Sequence, residues 1–218
     1  MATIKRPKFS RTADSEFVTT LKGRVADYFK DKEISKNGNA GMVLKSVTLI
    51  LLYLTPLTLI ISGVVSHPAL LFFMWVFMAF GMAGIGMSVM HDANHGAYSS
   101  NPKVNKLVGI CIHLIGGDVY NWKVQHNVLH HTYTNIHGHD EDLEAGRVLR
   151  FSKHAAWYPF HRFQHYYGVF LYGLLTFNWA LTTDWQQTYR YLKRKLSFGK
   201  FPNPSTQWSI LIITKIIG

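Results

Sequence analysis

The stretch "QHNVLHHTYTN", residues 125–135, puts three histidines into six consecutive positions, and "HDANH", residues 91–95, supplies two more of the chain's 12 histidines. Imidazole suits iron, zinc, copper and nickel, so this concentration points to metal chemistry while leaving the metal open. Spacing decides which rings can converge. On an α-helix His91 and His95 stand four apart on one face, His126 and His130 repeat that separation, and His131 is rotated by about 100° and points elsewhere. Two adjacent histidines aimed apart suggest two ions, and five imidazoles are more than a single catalytic zinc needs. Asp92, Asn94, Asn127, Asn135 and Asp140 lie close enough in sequence to orient the rings from behind. Cys111 is the only cysteine, which excludes disulfide frameworks and thiolate-rich zinc modules and leaves nitrogen and oxygen as ligands.

The elements that must hold these residues are apolar. The chain is 48% hydrophobic and 14% aromatic over 218 residues, more than a soluble core requires. Its mean hydropathy is only +0.03, so the apolar residues are concentrated in blocks within a polar, basic remainder of formal net charge +11. Residues 42–65 form the first long apolar run, interrupted only by Lys45 near one end, with Pro56 predicting a kink. Residues 69–90 form a second run free of charge, in which Gly81, Gly84 and Gly86 permit close helix approach. Only "SHP" separates the two, so they predict a transmembrane helical hairpin. Residues 1–45 carry ten Lys and Arg, residues 103–200 carry twelve, and the turn carries none, which by the positive-inside rule places both ends of the hairpin in the cytoplasm.

Residues 107–117 are apolar but too short to cross, and predict a re-entrant or interfacial helix. Residues 168–183 are followed by "YRYLKRK" and are placed in the interface for the same charge reason. Residues 208–218 begin like a third span. The expected fold is an all-α integral membrane protein with four regions: a basic cytosolic arm (residues 1–41) lying weakly structured on anionic lipid, the hairpin (42–90), a cytosolic helical cap carrying the histidines (91–206), and the start of a third span (207–218). Nucleic acid is not an expected partner.

His91 directly follows the second span, so the site begins at the membrane surface. There, a histidine-held non-haem di-iron centre can activate dioxygen against an unactivated carbon chain, chemistry for which zinc lacks redox capacity. The motifs "HDANHGAYS" and "WKVQHNVLHHTYTN" resemble the first and second histidine boxes of the membrane fatty acid desaturases, and the preceding hairpin matches that family's layout. The resemblance implies His91, His95, His126, His130 and His131 as ligands of two irons, dioxygen as co-substrate, and an acyl chain carried on CoA or lipid. It also implies a separate electron donor, a ferredoxin or small cytochrome, because no HPGG haem motif occurs and His67-Pro68-Ala69 is a poor imitation.

Two departures stand out. The second box reads HxxxHH, one residue longer than the commoner HxxHH. The family's third box is absent; "HRFQHYY", with His161 and His165, lacks the paired histidines, so truncation, and inactivity of the 218 residues alone, are expected. The other histidines have blander readings: His67, His113 and His154 as polar filler, His161 and His165 as headgroup-facing, His137 and His139 in a solvated acidic loop. A lipid hydroxylase or ketolase of the same superfamily shares the boxes. A membrane zinc protease with "HDANH" as a variant HExxH leaves His126, His130 and His131 unexplained.

Overall fold

Apolar helix pairs need small residues where their backbones meet, and this governs the centre of the computed structural model, which describes Pro7, Phe9 and residues 15–217. The expectations for residues 1–6, 8, 10–14 and 218 fall outside those described. All regular structure among the described residues is helical. The first helix, α1 (Ser15–Asp31), carries Phe17, Leu21, Val25 and Tyr28 on one stripe but buries no residue, so part of the arm expected to be weakly structured is an amphipathic helix.

Helix α2 (Ala40–Ile61) starts where Asn39 accepts the Met42 amide N–H, runs through Pro56 without a break, and ends at Ser62 with Gly63 in the left-handed region at φ 72°. That glycine stops the helix four residues earlier than the apolar pattern does. Helix α3 (Pro68–Gly84) begins with proline at its first position, as suits a residue without an N–H. It continues through a π-helical turn (Ile85–Val89) into α4 (Met90–Asn94), giving one 27-residue apolar helix, Pro68–Asn94. With α2 it makes the two helices among the described residues that are long and apolar enough to cross a membrane. A Cβ on Gly81 would meet the Tyr53 backbone nitrogen at 2.6 Å, and one on Gly84 would overlap the Leu49 side chain, so these two glycines are where the helices close on each other. Gly86 plays a different part, facing Ile115 at ordinary contact distance, 3.4 Å.

Residues 107–117 do not form one helix. Helix α5 (Pro102–Gly109) gives way to a 3₁₀ turn (Ile110–Ile115) that inserts Ile112 and Ile115 against Tyr53, Met78, Ile85 and Met90. Short helix α6 (Val119–Trp122) leads through a π-helical segment (Lys123–His130) to α7 (His131–Tyr133). Residues 164–193 then form one long helix: α8 (Gln164–Asn178), a π turn (Trp179–Thr183) and α9 (Asp184–Lys193). Most of α8 is exposed apolar surface, Phe170 at 76%. Helix α9 instead packs inward, burying Tyr191 with Val124 and Leu196 under the second histidine segment.

The last helix, α10 (Pro204–Ile217), is tied to this assembly by buried polar groups. Lys215 Nζ donates to Asp184 Oδ2 at 2.6 Å and to the Gly116 carbonyl, and Gln207 donates to both oxygens of Asp118 at 3.2 and 3.3 Å. Asn121 donates to Asp184 Oδ1 at 3.1 Å and accepts from Thr188 at 3.0 Å. Such groups are retained in a core only when their bonds are satisfied, and these satisfy one another.

Candidate metal centre

Box 1 sits on the end of the second apolar helix. The π turn at Ile85–Val89 precedes it, His91 lies in α4, and His95 is the residue that terminates α4, its amide N–H donating to the His91 carbonyl at 3.0 Å. Four-residue spacing therefore brings the two rings together, with centroids 4.5 Å apart. Box 2 reaches the same place from the other side. His126 has its centroid 5.2 Å from His91 and 5.1 Å from His95, and His131 is 4.9 Å from His95. Trp122 stacks on His126 at 4.6 Å and stands edge-on to His91 and His95, walling one side of the cluster.

One expectation about box 2 is corrected. His131 does not point away from His126: their Nε2 atoms are 3.3 Å apart. The reason is the helix type, because residues Lys123–His130 follow π geometry, in which bonding from i to i+5 brings residues five apart onto one face. The same turn accounts for the extra residue of HxxxHH. An α-helix pairs the first and last histidines of HxxHH at four residues, and the π turn absorbs one more to pair those of HxxxHH at five.

A 3.3 Å Nε2 to Nε2 separation fits a shared ion. Two imidazole nitrogens at about 2.1 Å from one metal, with tetrahedral or octahedral angles, lie about 3.0–3.4 Å apart. Two rings of the cluster, His126 and His95, are also held ready. Burial, and then the positive charge of His131, His95, His91 and His130, lowers His126 to about 4, and burial followed by His91 and His131 lowers His95. Depressed basicity keeps an imidazole neutral, which is the form that ligates.

His130 is oriented from behind. Its Nδ1 lies 3.1 Å from both Oδ1 and Oδ2 of Asp140, a fully buried carboxylate, and 3.2 Å from Asp142 Oδ2. A carboxylate only accepts, so Nδ1 carries the hydrogen and donates, leaving Nε2 as the atom that could ligate a metal. His126, His130 and Asp142 also form a close group, but they meet through the Nδ1 atoms of the histidines, so we read this group as the orienting side of the centre and not a further ion site. Asp140 is itself fixed by the amide N–H groups of Asn135 at 2.8 Å and Asp142 at 3.1 Å.

Of the five residues that sequence proximity nominated as orienting groups, Asp140 holds His130, and Asp92 accepts from Nδ1 of His91 at 3.0 Å. Asn135 acts through its backbone on Asp140. Asn94 and Asn127 touch no imidazole. Asn94 donates to the Gly109 carbonyl at 3.1 Å, and Asn127 donates to the Asn94 carbonyl at 3.2 Å, fastening box 2 to box 1. Sequence reasoning missed Asp142, Glu141, Gln125 and Trp122 altogether. The run "HDEDLE" reads as a solvated loop unless one notices that it lies within ten residues of box 2. His137 stays in that loop beside Glu144, at 3.4 Å, and His161 and His165 stand outside the cluster, His161 meeting the Arg147 carbonyl at 2.9 Å.

Comparison with known proteins shows the family to which the chain belongs. The model of the fatty acid desaturase family matches residues 33–217. The sn-1 linoleoyl-lipid 6-desaturase of Synechocystis sp. is 35% identical over 181 residues, which are 83% of this chain and 50% of that protein. The enzyme of the same name from Arthrospira platensis is 33% identical, over 87% of this chain and 50% of its own length. An acyl-lipid (8-3)-desaturase of Physcomitrium patens is 31% identical over 77% of this chain and 35% of its own. The chain thus spans about half the length of the first two relatives, and no solved structure matches it. By a family match that takes in both histidine boxes, the apolar hairpin and α10, the chain belongs to the fatty acid desaturase family.

Proposed function

We propose that this protein is an oxygen-dependent desaturase of acyl chains, with His91, His95, His126, His130 and His131 holding a pair of non-haem irons. The observation that carries the reading is the convergence of both boxes at the end of the Pro68–Asn94 helix, with two Nε2 atoms at ligand-pair distance. When bound, the irons supply the redox capacity to draw hydrogen from an unactivated chain at the cost of dioxygen. The chain's own residues do the positioning. Asp140 holds the Nδ1 hydrogen of His130, Asp92 that of His91, and Trp122 excludes water from one side of the cluster. The acyl-lipid names of the relatives favour a lipid-borne substrate. The electron donor in this reading is a separate ferredoxin or small cytochrome.

In the same reading α2 and the Pro68–Asn94 helix cross the bilayer, the turn at residues 62–67 lies outside, and the cap of residues 91–206 lies in the cytoplasm with residues 1–41. Residues 207–218 open a further span. A cysteine at Ser66, in a Cys111→Ser background, is expected to react with an impermeant reagent from outside, and one at Lys153 only after the membrane is opened. Equal reactivity at both positions refutes this orientation.

The functional test is expression in a host whose membrane lipids lack the product, with fatty acid profiles taken by mass spectrometry. New double bonds are expected when the chain is joined to the part of a full-length relative that it does not span, lost in His130→Ala and His131→Ala and kept in His113→Ala, whose ring meets the Gly117 carbonyl. Hydroxylated chains would make the protein a hydroxylase. Unchanged products in His131→Ala would remove the ligand assignment.

A further inference from the structure

Helix α9 carries no histidine and lies outside both boxes, yet two of its side chains reach the loop that orients His130 and a third is linked to it through Gln125. Tyr191, fully buried, donates its hydroxyl hydrogen to Glu141 Oε2 at 2.5 Å, and Arg190 Nη2 meets the same oxygen at 2.7 Å. Gln187 donates to Gln125 Oε1 at 2.5 Å, and Gln125 donates in turn to Asp142 Oδ1 at 2.7 Å. Glu141 and Asp142 are the two residues following Asp140 and form with Leu143 the 3₁₀ turn that Asp140 caps. The two carboxylates facing His130 Nδ1 are thus both tied, each through one intervening residue, to a single helix more than forty residues away in sequence.

We propose that α9 is a positioning device for the metal centre: Arg190 and Tyr191, through Glu141, hold the acidic turn so that Asp140 locks His130 with its hydrogen on Nδ1 and Nε2 free to ligate. The physical argument is one of leverage. A loop of residues 135–144 with Asn135 and Gly138 in left-handed backbone has little packing of its own, Glu144 being exposed and Asp142 one-third exposed. Two charge-assisted bonds to one partly buried oxygen are the strong kind, and Tyr191 is held in turn by its packing with Val124 and Leu196. Val124 belongs to the π segment that carries His126 and His130. One helix therefore sets both the segment bearing the histidine and the carboxylate behind it. The inference rests on the reading of His130 as a ligand.

The experiment uses the full chain in lipid nanodiscs with ¹⁵N-labelled histidine, His130 being assigned by the signal missing in His130→Gln. The unsubstituted protein is expected to show a protected His130 Nδ1–H and to take up Co²⁺. In Tyr191→Phe and Glu141→Ala, hydrogen exchange at Nδ1 should quicken at least about tenfold and Co²⁺ affinity should fall by about tenfold, the lower end of what an orienting partner contributes. Glu141→Gln keeps an acceptor oxygen for both donors and should stay within about threefold of the unsubstituted protein on that same scale. Should Tyr191→Phe fail to fold, the Glu141 pair decides alone. A lowered unfolding temperature with unchanged Nδ1 exchange in Glu141→Ala overturns the proposal, as does equal loss in Glu141→Gln and Glu141→Ala. No protected Nδ1–H and no Co²⁺ uptake in the unsubstituted protein would overturn the metal-centre reading as well, and that failure is recognisable because it needs no substitution.

Discussion

At the scale of single residues, the proposed centre depends on imidazoles that are kept neutral and aimed. His126 shows this best, since burial and four neighbouring histidines lower it from an ordinary value of about 6.5 to about 4. The sign of the linkage follows: between those values the unfolded chain binds a proton on His126 and the folded chain does not. Stability from this residue is complete above about pH 6.5 and is lost as pH falls toward 4. Metal-free protein should therefore unfold at a lower temperature at pH 4.5 than at pH 7, and His126→Gln should flatten part of that dependence. An identical slope in His126→Gln would show that other groups account for all of it. At this scale the sequence singles out the candidate ligands and says little about the groups that orient them. Histidines betray themselves by type and spacing, whereas Asp142 and Glu141 are ordinary members of an acidic run until the fold turns them inward.

The element that matters most is the π segment at Lys123–His130. Its cost is weaker hydrogen-bond geometry, and its effect is to place His126 and His131 on one face despite the five-residue interval. Deleting Val128 converts the box to HNLHH, which an α-helix pairs at four residues. We expect this variant to keep Co²⁺ affinity within about tenfold of the unsubstituted protein, the range over which orienting contacts act, while inserting an alanine after Val128 lowers it by about a hundredfold. If the deletion abolishes uptake, the π turn does more than absorb a residue. The spacing of HxxxHH was visible in sequence, but propensities do not distinguish one extra residue in a helix from a shift of register, so His131 was assigned to the wrong side. The apolar helices were legible to within a few residues, because length and lack of charge define them and Gly81 marks their closest approach.

Across the whole molecule, the buried polar network fastens α10 to the cap. Asp184 is fully buried, and burial raises it above the usual carboxylate range while Lys215 opposes that rise. Removing the cation leaves a buried charge without its partner, which costs about 3–5 kcal/mol, whereas removing both charges restores much of the loss. Lys215→Met should accordingly unfold far more readily in detergent than Lys215→Met combined with Asp184→Asn, as measured by thermal or denaturant unfolding. Equal stability of the two would show that the pair is not coupled. Because Asn121 of this network precedes Trp122, which stacks on His126, loss of the network should also loosen metal uptake.

The sequence by itself determined the helical class, the apolar hairpin and the five imidazoles, because each of these is a local property: run length, absence of charge, and residue type at short intervals. It could not determine which ring faces which, since that depends on a π turn whose hydrogen bonds are indifferent to side-chain identity. Nor could it reveal that α9 stands behind the acidic turn, or that Lys215 reaches Asp184 and Gly116, because those contacts join residues separated by 31 to 99 positions. Tertiary structure decided them through packing: Tyr191 against Val124 sets the distance at which Glu141, and with it Asp140, meets His130.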